Sequence, residues 1–394
     1  MSHNTPTTLL TGATGFLGHY ILRELLTRSR RVVALLRAPL DETRERLWSM
    51  TRRIGFDCQP YADKGMLVTM EGALPDDLPD SEWGPTDDIL SCAASLQLHA
   101  NGNGEPFRTN INGVEMLLDW ARRHNVRKFH AVSTAYVCGG HMGGIREISH
   151  PEPPSFQTDY ERTKWTAEKM IAEWGRETGN TVTLLRPSFL IGHSETGYTT
   201  QFGGFYQFAR IVAMMTDHFR EAHPPTNGDA THIPHRIPGR KNDAVQNFVP
   251  VDFAARLAAE VVLDPSLHGR IYHLTDPNPP TWDDFRQWLE KYFNMYGGTF
   301  ADTDELSNGV SQAETLLWEK YDLLLPRLRH RVHFDQSNTR EVMQQRGIEF
   351  PQLDQPRFNM LLDYAASQKW GQKNGRDHNG THRKSKPPKP AAVH

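Results

Sequence analysis

The segment Thr8-Leu9-Leu10-Thr11-Gly12-Ala13-Thr14-Gly15-Phe16-Leu17-Gly18 restricts the fold of this chain more than any other part of it. A short apolar run leads into three glycines spaced three apart. Tyr20, Ile21, Leu25 and Leu26 then recur at helical spacing. The run from 31 to 36 (RVVALL) adds a second group of strand formers, which completes a strand, turn, helix, strand unit. Glycine permits the tight turn and lets backbone N–H groups at the start of a helix approach a pyrophosphate. In that context Gly12, Gly15 and Gly18 point to a bound dinucleotide rather than to an ordinary glycine-rich turn.

The same alternation continues along the chain. Helical patterns at 42–54, 111–124 and 160–178 are interleaved with strand patterns at 66–70, 88–92, 128–133 and 182–186, and Pro187 stops the series. The expected fold is α/β, a doubly wound parallel sheet of Rossmann type, with ligands at the carboxyl ends of its strands. After Pro187 the rhythm breaks into a polar loop at 192–204, a helix at 207–215 and a second loop at 228–243. It resumes at 248–251, where Asp252 is the expected cap of a helix to Leu263, and 270–274 is expected to rejoin the sheet. Thr281 is a good cap for a helix carrying Phe285, Trp288, Leu289, Tyr292 and Phe293, and further helices are expected at 313–325, 339–346 and 358–369. The division expected is a dinucleotide-binding domain at 1–274, lending 192–248 to the substrate lobe, a smaller and mostly helical lobe at 275–370, and a disordered basic tail at 371–394.

Hydrophobic residues make up 38% and charged residues 23%, which fits a soluble globular protein. The net charge of −3 conceals two regions, because the last 24 residues hold six Lys/Arg and one Asp and leave the remainder at −8. An acidic body argues against nucleic-acid binding. The N-terminus lacks a signal-peptide pattern, and no run approaches the ~18 apolar residues of a membrane span. Cys58, Cys92 and Cys138 form no C-x-x-C pair, so neither a disulfide framework nor a zinc site is expected, and the cytoplasm is the expected location. His218, His223, His232 and His235 lack metal-ligand spacing, so no metal is expected. Asn379-Gly380-Thr381 is a glycosylation sequon only in a secreted chain. Phe202, Phe205, Tyr206, Phe208, Met214 and Met215 line either an acyl tunnel or, more commonly for such a pattern, a helix core.

An NAD site usually ends its second strand with an acid for the ribose 2′-hydroxyl, whereas here Leu36 is followed by Arg37 and the next acid is Asp41. Arg37 therefore favours a 2′-phosphate and NADP(H), its alternative being a solvated surface charge. Tyr160-x-x-x-Lys164 puts a phenol and an ammonium on one helix face, where the cation lowers the phenol's pKa and eases proton exchange. Ser133-Thr134-Ala135-Tyr136-Val137 ends the preceding strand with a hydroxyl able to bind an oxygen whose charge changes during hydride transfer.

With these residues the chain resembles the extended short-chain dehydrogenase/reductases. The likeness rests on TGATGFLG (11–18), Asn110-Ile111-Asn112-Gly113, VSTAYV (132–137), YERTK (160–164), RPS (186–188) and VPVD (249–252). LLRAP (35–39), Glu45-Arg46-Leu47, CAAS (92–95), the KWTAEK run from Lys164 and SETG (194–197) narrow it to the thioester-reductase and fatty-acyl-coenzyme A reductase branch. The resemblance covers residues 8 to about 274. It implies Tyr160 as proton donor, Lys164 as the residue that holds the nicotinamide ribose and tunes Tyr160, Thr134 as the hydroxyl at the carbonyl with Ser133 as its competitor, and Asn110 in a proton relay. It implies Thr14, Phe16 and Leu17 along the pyrophosphate and Pro187 and Ser188 beside the nicotinamide. The implied activity is NADPH-dependent reduction of an acyl thioester on coenzyme A or a carrier protein to an aldehyde, or on to the alcohol, by an enzyme that forms homodimers. The alternatives are redox chemistry at a secondary alcohol of a sterol or nucleotide sugar, and a dinucleotide-sensing protein without turnover. One departure stands out: the family's Gly-Asp-Leu after the third strand reads Gly72-Ala73-Leu74 here, so adenine must be held by packing or another donor.

Overall fold

Leu9 and Leu10, neighbours in the chain, belong to two different cores. They lie on β1 (Thr7–Thr11), and side chains on a strand alternate between the faces of its sheet. Both faces are covered, so both residues are apolar. The computed structural model describes residues 5–80, 83–150, 155–225, 228–243, 246–301, 311–318 and 332–372. Around β1 the chain adds α1 (Gly18–Thr27), β2 (Arg31–Leu36), α2 (Leu40–Arg53), the short α3 (Gln59–Asp63), β3 (Leu67–Glu71) and β4 (Asp88–Ser91). It continues through α4 (Gly113–Arg123), β5 (Lys128–Val132), β6 (Gly143–Ile145), α5 (Asp159–Thr178) and β7 (Thr181–Pro187).

Seven strands form one parallel sheet in the order β11-β7-β5-β4-β1-β2-β3, with β11 at Ile271–Leu274. The order reverses at β1, which puts the glycine turn at the topological switch point where such sheets bind ligands. One face carries α1 and α7 (Val251–Leu263) on Leu10, Val32, Ala34 and Leu90. The other carries α4 and α5, with Trp120 and Trp174 on Leu9, Val33, Ile89 and Phe129. The fold is the doubly wound α/β class expected from the sequence, and 270–274 does rejoin the sheet beside β7.

The region after β7, where the sequence places a smaller lobe, differs from expectation in detail. The segment 228–243, read as loop, contains β9 (Thr231–Ile237), which pairs in parallel with β12 (Met295–Phe300). Thr231, Ile233 and Ile237 point inward while His232 and Pro234 are exposed, and the polar residues between the inward ones hid the alternation. β8 (Phe189–Ile191) pairs with β10 (Phe248–Pro250), and β13 (Val332–Phe334) pairs with β6. The lobe's helices are α6 (Phe205–Ala222), α8 (Trp282–Tyr292), α9 (Gln312–Trp318), α10 (Ser337–Arg346) and α11 (Gln355–Ser367). Thr281 caps α8 in a full capping box with Asp284. The helix expected at 313–325 is described only to Trp318, and the tail from 373 onward, with the sequon at 379–381, lies outside the described residues. Phe205, Phe248, Phe285 and Phe358 pack ring on ring with centroids 5.2–6.0 Å apart. Phe205, Tyr206 and Met215 are therefore core residues, Met214 is exposed, and Phe208 and Met215 also border a cavity of about 40 Å³. Among the described residues no helix is long and apolar enough to cross a membrane.

His130, in the interior strand β5, is fully buried, and neither ring nitrogen has a hydrogen-bond partner. Burial, with the adjacent His268, Arg30 and Lys128, holds its pKa well below the ordinary value of 6.5. A histidine kept neutral in the fold takes up a proton more readily when unfolded, so its stability contribution is present above pH 6.5 and is lost as pH falls below it. We expect His130→Leu to flatten the acid side of the stability profile by up to about 1.4 kcal/mol per pH unit between pH 6.5 and 5. Urea unfolding of both proteins across that range reads the difference.

Candidate active site

The glycine turn is as tight as its sequence requires. Gly12 has φ +75°, and a Cβ there would lie 2.6 Å from the Ala93 nitrogen. A Cβ on Gly18 would lie 2.0 Å from the Gly12 carbonyl oxygen, which also accepts from the Gly15 amide at 2.8 Å. α1 then begins with no side-chain cap and no acid in its first turn. Uncapped N–H groups and the positive end of the helix dipole suit an anion such as a pyrophosphate. Gly15 is exposed and Thr14 half-buried, whereas the Phe16 and Leu17 side chains are in the core, leaving only their backbone for a ligand. His19 Nδ1 donates to the Gly15 carbonyl at 2.8 Å, and burial keeps the ring neutral by pulling its pKa to about 4.

Arg37 follows β2 directly and is exposed. Its guanidinium makes no hydrogen bond or ion pair to another described residue, so it is free to meet a phosphate. The Glu71 carboxylate, at the end of β3, accepts from the Leu40 amide at the start of α2 (2.9 Å). At the position where the family's Asp is replaced, the Ala73 amide donates to Asp77 O, and Leu74 packs against Gly113.

Three residues on α5, spread over little more than one turn, anchor it to the strand ends and the turn before α4. Thr158 starts the helix by accepting from the Glu161 amide, which places Tyr160 in the first turn. Lys164 is buried and donates to the Val132 carbonyl (2.7 Å), the last residue of β5 and the one before Ser133 and Thr134. Thr163 donates to the Tyr160 carbonyl and accepts from Asn110 Nδ2 (3.0 Å). Glu168 forms a two-pronged ion pair with Arg186 (2.9 and 2.7 Å), both buried, at the end of β7.

Asn110 sits in a π-helical turn, Arg108–Asn112, just before α4. Its amide is fully committed, accepting from Ser95 N and donating to Ser95 O and Thr163 Oγ1. The strand before the hydroxyls ends at Val132 rather than at 133. Ser133 is fixed by donating its amide to Leu185 O (2.7 Å), and its hydroxyl is buried without a partner. Thr134 Oγ1 accepts from the Tyr136 amide and caps the single 3₁₀ turn Ala135–Cys138. Both hydroxyls therefore lie past the strand. Pro187 ends β7, and Ser188 donates its hydroxyl to Asn247 Oδ1 (2.6 Å). Among the described residues no three His, Cys, Asp or Glu side chains gather as metal ligands.

The sequence reading did not single out Thr163, Glu168 or Asn247, and it assigned Asp252 to the wrong partner. The helix α7 starts at Val251 after Pro250, and the Asp252 carboxylate instead accepts from Ser194 N and Oγ (2.9 and 2.6 Å), pinning the 194–197 loop. Glu168 was in principle findable, since it lies four residues beyond Lys164 on the same face, opposite an arginine that precedes a strand-ending proline.

The sequence matches the family described as Male sterility protein over residues 10–258. The chain belongs to that family. It is an NAD(P)-binding oxidoreductase of the extended short-chain dehydrogenase/reductase type, in the thioester-reductase branch. It is 30% identical over 325 residues to the L-2-aminoadipate reductase large subunit of Penicillium chrysogenum, a match that covers 74% of this chain and 21% of that protein. It is 24% identical over 398 residues to a non-canonical nonribosomal peptide synthetase of Aspergillus campestris, covering 90% of this chain and 35% of the other. The chain thus spans about a third or less of the length of these two relatives. In fold it is similar to the terminal R domain of the myxalamid PKS-NRPS pathway (TM-score 0.74, 24% identity, 93% and 92% of the two chains covered). A thiolation-reductase di-domain from an archaeal non-ribosomal peptide synthetase gives a TM-score of 0.71 at 18% identity, with 94% and 92% covered.

Burial lowers the Lys164 pKa from 10.5 to about 8, against the raising influence of the nearby Cys92 and Glu168. A step that draws on its charge must weaken as pH rises through 8, when the ammonium loses its proton. We expect kcat/KM to fall on the alkaline side with a midpoint near pH 8, read from a pH–rate profile of the free enzyme.

Proposed function

We propose that this enzyme uses NADPH to reduce an acyl thioester, held on coenzyme A or a carrier protein, to an aldehyde, or on to the alcohol. The observation that carries the reading is the contact of Lys164 with Val132 O. It ties the Tyr160 face of α5 to the chain immediately before the Ser133 and Thr134 hydroxyls, at the carboxyl end of β5 in the sheet whose β1 leads into the uncapped start of α1.

When bound, the cofactor supplies a hydride to the thioester carbonyl carbon. The residues of the chain manage the oxygen and the protons. Thr134, with Ser133 as the competing donor, binds the carbonyl oxygen as negative charge builds on it. Tyr160 delivers the proton to that oxygen, and the Lys164 ammonium favours the phenolate left behind. The Tyr160 phenolate then takes that proton back as the oxygen's electron pair re-forms the carbonyl, the carbon–sulfur bond breaks, and the departing thiolate receives the same proton to leave as a thiol. Each two-electron round consumes one hydride and one proton, so the alcohol requires a second round on the aldehyde. Asn110, with its amide fully used, acts in this scheme by holding the Ser95 loop against α5.

Arg37 supports NADPH over NADH, because an exposed guanidinium at the end of β2 is where a ribose 2′-phosphate would lie. Three free cysteines, of which Cys58 and Cys138 are buried, fit a reducing compartment such as the cytoplasm.

NADPH consumption on a panel of acyl-coenzyme A thioesters, aldehydes and secondary alcohols, with product analysis, tests the substrate class. Turnover of secondary alcohols with NAD, and none of thioesters, would overturn it. We expect Tyr160→Phe to lower kcat by a factor of about 10² or more while NADPH affinity is kept. Arg37→Ala should raise KM for NADPH about tenfold and leave that for NADH nearly unchanged, since only one loses a charge-assisted contact. Equal shifts for both cofactors would remove Arg37 from the 2′-phosphate.

A further inference from the structure

Asn247 is buried just before β10 and joins three segments of the chain through one side chain. Its Oδ1 accepts from Ser188 Oγ at 2.6 Å and from the Asp276 amide at 2.8 Å. Its Nδ2 donates to the Asp276 carbonyl at 2.9 Å, and its own carbonyl accepts from the Phe189 amide at 3.1 Å. The turn from β7 to β8 is thereby bound on one side to Asn247, while the Ser188 amide donates to Leu274 O at the end of β11 on the other. Asp276 is buried too and is held in its own turn, with its carboxylate accepting from Asn278 N and Gln352 Nε2.

The chemistry of the position selects asparagine. Two donors must be accepted and one carbonyl must receive a donor, within reach of a short side chain. Aspartate supplies the acceptors but not the donor, and an apolar residue supplies neither. Directly after Asn247, Phe248 enters the aromatic core of the lobe on Phe205 and Phe285. The same residue is thus continuous with the lobe's packing and bonded to Ser188.

We propose that Asn247 is the positioning residue that sets the Pro187–Ser188 turn against the nicotinamide and carries the seating of the lobe to the cofactor. The inference rests on the reading that NADP(H) binds with its nicotinamide beside that turn. Asn247 touches no reacting atom in this role and acts through Ser188.

The test compares wild type with Asn247→Ala, Asn247→Asp and Ser188→Ala, together with the Asn247→Ala/Ser188→Ala double variant. NADPH affinity is read by fluorescence titration without substrate, alongside kcat, KM and Tm. Asn247→Ala should weaken NADPH about tenfold and lower kcat. Asn247→Asp, which keeps both acceptor bonds, should lose about three- to fivefold, near the worth of one hydrogen bond. The double variant should be no worse than Asn247→Ala, because the two residues share one contact. Leu289→Ala, a lobe-core truncation away from the turn, is the control for general destabilisation. The inference is overturned by unchanged NADPH affinity in both Asn247 variants, by additive losses in the double variant, or by an equal loss in Leu289→Ala at matched Tm. Failure of the wild type itself to bind NADPH would overturn the cofactor reading instead, and this inference with it.

Discussion

The buried face of α5 is the constraint on which the rest of the site depends. Thr163, Lys164 and Glu168 lie along one stripe and reach, in turn, the Asn110 turn, the end of β5 and the end of β7. A helix so fixed cannot rotate without leaving a buried ammonium or a buried carboxylate unpaired, and removing one partner from a buried ion pair costs about 3–5 kcal/mol. Tyr160, in the first turn of the same helix, inherits its place from these anchors. Lys164 is one of these anchors, and Thr163 and Glu168 are the others.

Opposite α5, the phosphate turn is governed by steric exclusion. Gly12 and Gly18 are close enough to backbone that any side chain would force β1, the turn and α1 apart. The backbone after the exposed Gly15 and the uncapped helix start are what remains for an anion, and neutral His19 adds a donor to the turn without adding charge. Together the two halves bring the glycine turn and the Tyr160–Lys164 turn of α5 to the carboxyl ends of one parallel sheet.

How much of this could be read from the sequence depended on the range of the interactions. The sheet was legible because strands buried on both faces are continuous apolar runs, and β2 at 31–36 begins and ends where its pattern does. The Tyr160 and Lys164 pair was legible because four residues make one helical turn. β9 and β12 were not, since each is a weak strand by itself and they meet only in the folded chain across more than fifty residues. Asp252 misled because an acid after a strand is a common helix cap, and only the tertiary structure brings Ser194 within its reach. Asn247 carries no local signal at all, as each of its partners comes from a different strand end.

The Glu147 carboxylate, just past β6, accepts from the His273 amide, the Asn338 amide and the Thr339 hydroxyl, the last two lying 191 and 192 residues further along the chain. This acid therefore lacks two of its partners until at least 191 further residues have been added. The open edge of the sheet at β11 and the β6–β13 ribbon close together, late, and only after the lobe between them has been made. Contacts of such separation are slow to form because the loop entropy must be overcome before they give any return. For this chain the last event of folding is thus expected at the sheet's outer margin, far in sequence from the glycine turn where the ligand site begins.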